Sequence, residues 1–406
     1  MSLAPLRPAR QPASWILAAS FLAGAAAAQA PAPPAPAPTP AAAPAADLAQ
    51  LEAEVRRHLD AARQQRGFPG LSAAFVLPDG RIGAVAVGSE DDAGALPLST
   101  ASRMLSGSIG KTYCAAIALQ LVADGKLALD AEVAQVLGAQ AWFPRVPNAK
   151  TVTLRHLLTH TSGIPDHVWK QAFQDRVLAD PDHAPDPVAC VGYILDDAPL
   201  GEPGAKWSYA DTNFVLVGLM IEAKEQRPFA ASLRARILEP LQLRDTLASD
   251  RRDLPGLANG HASGIAFHRG DTVADGRYFV NPAFEYCGGG VCSTARDLAR
   301  WGRALFAGDV VPEALRKEQL QPVPADPRVC DGYGLGCFVM KTPLGTAYGH
   351  SGFMPGYQAM VAHYPDAGLT VALMWNTDAG RQVGSPRRAA ETLAALLRDR
   401  LAAASK

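Results

Sequence analysis

Charge of one sign is what this 406-residue sequence lacks: 38 Lys and Arg stand against 39 Asp and Glu, a formal net charge of −1. Such a chain has no broad field to draw in nucleic acid or an anionic membrane, so neither is expected as a partner. Beyond Ala28 no apolar run of membrane-spanning length appears. Cysteine is sparse, with six residues and no C-x-x-C pair, which removes the usual structural zinc site. Neither H-E-x-x-H nor the G-x-S-x-G nucleophile elbow occurs.

What is present begins at the N-terminus. Arg7 and Arg10 precede the short apolar run Trp15 to Ala28, and small residues follow. This pattern predicts a secretory signal peptide over 1–28, cleaved after Ala28, and hence a secreted or periplasmic protein with no further membrane contact. Residues 29–46 are rich in Pro and Ala and read as a semi-rigid linker without chemistry. In an exported chain, Cys287 with Cys292 and Cys330 with Cys337 are close enough in sequence for local bridges; six buried thiols are the other reading.

Leu48, Leu51, Val55 and Leu59 recur at helical spacing behind Asp47, a good cap. "LSAAFVL" and "IGAVAVG", joined at Pro78-Asp79-Gly80, predict a hairpin, as do "GYQAMVAHY" and "LTVALMWN" across Pro365 to Gly368. An apolar helix is expected over 108–124 and an amphipathic one over 386–403, with mostly helix and loop between 150 and 280. Strands near both ends and helices in the middle predict an α+β fold. A sheet domain from 47–105 plus 281–406 would receive a helical domain of 106–280, with a ligand crevice between them.

The stretch "MLSGSIGKTYCA" at 104–115 carries two readings. A phosphate-binding loop needs glycine five residues before Gly110, where Leu105 stands, so that reading fails. The other makes Ser108 a nucleophile with Lys111 one helical turn away, on the same face. It is the only Ser-x-x-Lys in the chain, and it opens a very apolar helix in which a lysine needs a reason. His156 and His160, four apart, could share a helix face, but no third ligand joins them, so no metal is expected.

Other blocks support the nucleophile: "TVTLRHLLTHTSGIPD" at 151–166, "WSYADTNFVLVGLMIE" at 207–222, "GGGVCSTARDLARWGRAL" at 288–305 and "YGHSGFMPGYQAMVAHYPDAGLTVALMWN" at 348–376. With Ser108-x-x-Lys111, and in that order, the chain over roughly 48–402 resembles the serine beta-lactamase-like superfamily. That group includes class C beta-lactamases, D-alanyl-D-alanine carboxypeptidases and related esterases. The resemblance implies a beta-lactamase/transpeptidase-like fold, an antiparallel sheet flanked by helices, and no cofactor. It makes Ser108 the nucleophile, Lys111 its base and Tyr209 a proton shuttle. Tyr209-Ala210-Asp211 matches Tyr-x-Asn. His350-Ser351-Gly352 matches Lys-Thr-Gly on an edge strand, where it would bind a substrate carboxylate. The Phe353 N–H would join that of Ser108 in an oxyanion hole.

Two residues depart from the family pattern. Asp211 replaces an amide donor with a carboxylate, and His350 replaces a permanent cation with a titrating one. Both argue against an efficient beta-lactamase. The expected activity is an exported acyl-enzyme hydrolase, D,D-carboxypeptidase-like or esterase-like, acting on a small molecule or peptide such as a cell-wall peptide or beta-lactam. A weak class C-like beta-lactamase is one alternative, and a catalytically silent peptidoglycan- or protein-binding relative is another. His350 is expected to favour carboxylate substrates at mildly acidic pH.

Overall fold

A computed structural model of the chain describes residues 47–91 and 94–404. The expected signal peptide (1–28) and the whole of the expected linker (29–46) lie outside the described residues. Helix α1, Leu48–Arg66, starts on Asp47, whose carboxylate accepts the Ala49 N–H at 3.0 Å, and ends at Gly67 in the left-handed region. Strands β1, Gly70–Val76, and β2, Ile82–Gly88, form the first predicted hairpin. Helix α2 is Gly110–Ala123 and α3 is Asp211–Glu225. Helix α4, Ala295–Ala307, precedes six strands: β3 Val323–Pro324, β4 Gly332–Tyr333, β5 Phe338–Thr342, β6 Gly345–Met354, β7 Tyr357–Tyr364 and β8 Leu369–Trp375. Helix α5, Pro386–Ala404, closes the chain.

The strands make one eight-stranded antiparallel sheet, in the order β3-β4-β5-β6-β7-β8-β1-β2. The central pairing, Ala74 opposite Ala372, joins segments from the two ends of the described chain. Alternate residues of β1 face opposite ways, because side chains alternate across a strand. Leu71, Ala73 and Phe75 pack with Leu51, Val55 and Leu59 of α1 and Leu393 and Leu397 of α5. Ala74 and Val76 join the core that contains α2, α3 and α4. In that core Tyr113 stacks on Trp301, with ring centroids 4.1 Å apart, and Trp301 Nε1–H donates to Thr112 Oγ1 at 2.8 Å. These contacts fix α2 against α4.

Two expectations need correction, and one open alternative, the state of the cysteines, is decided. The helix expected from 108 starts at Gly110, because Gly107–Ile109 forms a tighter 3-10 turn ahead of it. The strand bearing His350 is not an edge strand: β6 pairs with both β5 and β7. Its pairing to β5 ends at Gly349 opposite Phe338, however, so from His350 onward β6 outruns that neighbour and is open on that side. The six cysteines are buried free thiols rather than bridges. Among the described residues no helix is long and apolar enough to cross a membrane.

Candidate active site

Ser108 sits in the 3-10 turn, where the first N–H groups of a helical segment have no partner of their own. The turn is held on two sides. Ser106 N–H and its hydroxyl both donate to Val291 O at 2.9 Å. On the other side the turn meets β6 backbone to backbone. Gly107 has φ +51°, and a Cβ there would lie 2.4 Å from Phe353 O; a Cβ on Gly352 would lie 1.7 Å from Ser106 O. Only glycines allow this approach. It brings Ser108 beside Ser351, Gly352 and Phe353, and all four line one cleft of about 870 Å³.

Lys111 is fully buried in the first turn of α2, where the helix dipole disfavours a cation. Its partners explain its presence. The Nζ donates to Ser108 Oγ at 3.1 Å, to Gly288 O at 2.6 Å and to the Asp211 carboxylate. It also lies 4.8 Å from the centre of the Tyr209 ring and 5.6 Å from that of Phe214. Asp211 opens α3, where the dipole favours an anion. Its N–H donates to Asp166 Oδ1 at 3.0 Å.

Asp166 and Glu285 were not found by sequence reasoning. Each is pushed up to about 8, by burial first and then by the Asp211 charge, with Lys111 acting the other way. Three carboxyl groups thus face one ammonium, and two of them keep their protons near neutral pH. Asp166 lies inside the "HTSGIPD" block and Glu285 stands just before Cys287 and the glycine run. Neither sequence position discloses that the two meet at Lys111.

Tyr209 lines the same cleft, and its hydroxyl oxygen is buried without a hydrogen-bond partner. Burial, then the Asp211 charge, push its phenol well above the usual tyrosine value. Ser108 acts in the opposite direction, so its hydroxyl is near enough to stabilise a phenolate although not aligned for a bond. Behind the ring lies His160, at a centroid distance of 4.1 Å. His160 Nδ1 accepts the Ala210 N–H at 3.2 Å and lies 3.1 Å from Asn213 Nδ2. His160 therefore positions Tyr209, and His156 closes a capping box with Thr153. Neither faces a metal site, and no metal-holding group of three or more His, Cys, Asp or Glu occurs among the described residues.

His350 departs from its expected behaviour. Its ring is 1% exposed and stacks on Phe338 at 4.1 Å. Nδ1 lies 2.5 Å from Ser351 O; a carbonyl only accepts, so Nδ1 carries the proton and Nε2 accepts the Tyr333 hydroxyl at 3.0 Å. Burial, then the charge of Lys111, hold the imidazole down to about 3. Both nitrogens are thus engaged by the protein and the ring stays neutral. The expectation that His350 gains charge at mildly acidic pH does not hold, because desolvation outweighs its single backbone contact.

A beta-lactamase family model matches residues 55–396. Penicillin-binding protein 4* of Bacillus subtilis (strain 168) is 28% identical over 295 residues, covering 70% of this chain and 62% of that protein, so the chain spans under two thirds of that relative's length. Esterase EstB of Burkholderia gladioli is 28% identical over 385 residues, 82% of this chain and 92% of the esterase. Among solved structures, a D-stereospecific amidohydrolase from Streptomyces sp. superposes with a TM-score of 0.69 at 28% identity, covering 83% of this chain and 97% of its own.

Proposed function

The chain belongs to the beta-lactamase family, and from that premise we propose that Ser108 is the nucleophile of an acyl-enzyme hydrolase acting on ester or amide bonds. The observation that carries this reading is Lys111 Nζ, fully buried and 3.1 Å from Ser108 Oγ. Lys111 passes a proton to Asp211 and takes one from Ser108 as its oxygen attacks the carbonyl carbon. The Ser108 and Phe353 N–H groups receive the developing oxyanion. Tyr209 protonates the leaving group, and water then releases the acyl group with Tyr209 and Lys111 in reversed roles. Ser351 and Gly352 complete the substrate-facing wall, whereas Asp211, expected there, is held by Lys111 and does not line the cleft.

A neutral His350 with both nitrogens occupied cannot supply the cation that a terminal carboxylate would seek beside Ser351. This favours esterase-like or amidase-like turnover over D,D-carboxypeptidase or beta-lactamase activity. Export to the periplasm remains part of the proposal, resting on residues 1–28. The test is labelling with a fluorophosphonate and a fluorescent penicillin side by side. The wild type should take the fluorophosphonate strongly and the penicillin weakly. Ser108→Ala should take neither while melting as the wild type does; labelling of that variant would refute the assignment.

A further inference from the structure

The cleft is electrically lopsided. At the Ser108 end, Lys111 is paired with Asp211, Asp166 and Glu285 hold their protons near neutral pH, and His350 is neutral, so that end has no free cation. Away from Ser108 the same cleft is lined by Arg328, Lys341, Arg387 and Arg388 against one acid, Glu391. Arg328 is taken up by Asp326, and Arg387 by Asp331 and Glu391. Lys341 and Arg388, both exposed, have no ionic partner among the described residues. In a chain with a net charge of −1, this concentration of cations is local.

The register fixes how far away it is. Lys341 pairs with Thr346, four residues along β6 from His350, or about 13 Å at roughly 3.3 Å per residue. Between the two ends Phe338, Met340 and Met360 contribute apolar edges to the cleft, each of them nearly buried. Arg388 approaches from the first turn of α5, where the helix dipole adds attraction for an anion.

We propose that the cleft selects substrates that carry a negatively charged group on an apolar stem, bound by Lys341 and Arg388 far from the scissile carbonyl. This deepens the reading of Ser108 as nucleophile and rests on it. The Ser108 end offers a substrate anion no unpaired cation, while Lys341 and Arg388 attract it at the far end. The substrate is thereby oriented, and no charge on His350 is required.

The test uses inhibitors that bond to a serine oxygen whichever side of the cleft their chain follows. Octylboronic acid and 7-carboxyheptylboronic acid are compared as inhibitors of p-nitrophenyl acetate hydrolysis, on the wild type and on Lys341→Ala/Arg388→Ala. The wild type should prefer the carboxylated compound by about fivefold to tenfold at low ionic strength, the scale of two exposed charge contacts. The preference should shrink as salt screens it and vanish in the double variant. Octylboronic acid inhibition and acetate turnover should not change. Equal inhibition by both compounds in the wild type, or a preference retained by the double variant, overturns the inference and leaves the Ser108 reading standing. Absence of both acetate turnover and boronate adducts overturns the Ser108 reading and this inference with it.

Discussion

Replacing Asp211 by Asn removes one charge from the buried group of Lys111, Asp166, Asp211 and Glu285 while keeping its shape. In the folded protein Asp166 and Glu285 hold their protons up to about 8, whereas the unfolded chain ionises them near 3.8 and 4.5. The folded state therefore binds more protons throughout that window. Its stability falls as pH rises, by up to about 1.4 kcal/mol per pH unit for each group, and this contribution is lost above about 8. His350 and His167 are held at about 3 and about 4 and have the opposite sign, but their effect is confined below the usual histidine value of 6.5. The interval from 6.5 to 8 thus isolates the two acids. Two unit charges roughly 6 Å apart at an effective dielectric of about 20 interact by about 3 kcal/mol. Asp211 acts on each acid separately, so release of that repulsion lowers each titration by up to about two pH units. In Asp211→Asn the fall in stability should then end below about pH 7, well short of its end near 8 in the wild type. One of the freed acids also replaces Asp211 as the partner of Lys111. The variant should therefore lose less than the ~3–5 kcal/mol expected when a buried charge is left alone. Urea unfolding at half-unit steps from pH 6 to 8.5 measures both effects. Identical slopes in the two proteins between 6.5 and 8 would refute the coupling.

Lys111→Arg keeps the cation but cannot act as a base in the working range. Single-turnover acylation should slow by roughly 10²–10⁴-fold, and a mild loss would reduce Lys111 to electrostatic support. Gly352→Ala places a Cβ where Ser106 O now sits, 1.7 Å away, so β6 must move off the Ser108 turn. A shift of about 1 Å there should cost roughly 100-fold in kcat/KM while far-UV dichroism stays unchanged. Because His350 stays neutral, p-nitrophenyl acetate and a D-Ala-D-Ala peptide should share one KM profile from pH 5.5 to 8.5. Carboxylate binding that strengthens selectively near pH 6 would restore the titrating role denied to His350.

Both long hairpins were legible because turn residues separate runs of strand-forming residues, and α1 and α5 because their apolar residues recur at helical spacing. Those patterns are local. The pairing of β1 with β8 is not, since it joins residues some 300 positions apart in the chain. Of the candidate site, Ser108 and Lys111 were legible because a lysine in so apolar a helix demands a partner, and the structure supplies Asp211 and Gly288 O. His350 was misread for the same reason that Asp166 and Glu285 were missed. A titratable side chain takes its charge from burial and neighbours, not from its type. Burial and the charge of Lys111 keep His350 neutral, and the residues that bury its ring, Phe338 stacked on it and Tyr333 donating to it, come from strands too short to announce themselves in sequence. The glycines at 107 and 352 carry the converse lesson. Gly352 was read only as a motif position and Gly107 was given no role, yet their joint function is to let two backbones meet and set Ser108 against β6. The motif residues therefore name the chemistry, while non-motif neighbours decide which of those residues carry charge. On that argument the search for what binds a substrate's anion belongs at Lys341 and Arg388, the unpaired cations of the cleft, rather than at the histidine standing in the family's lysine position.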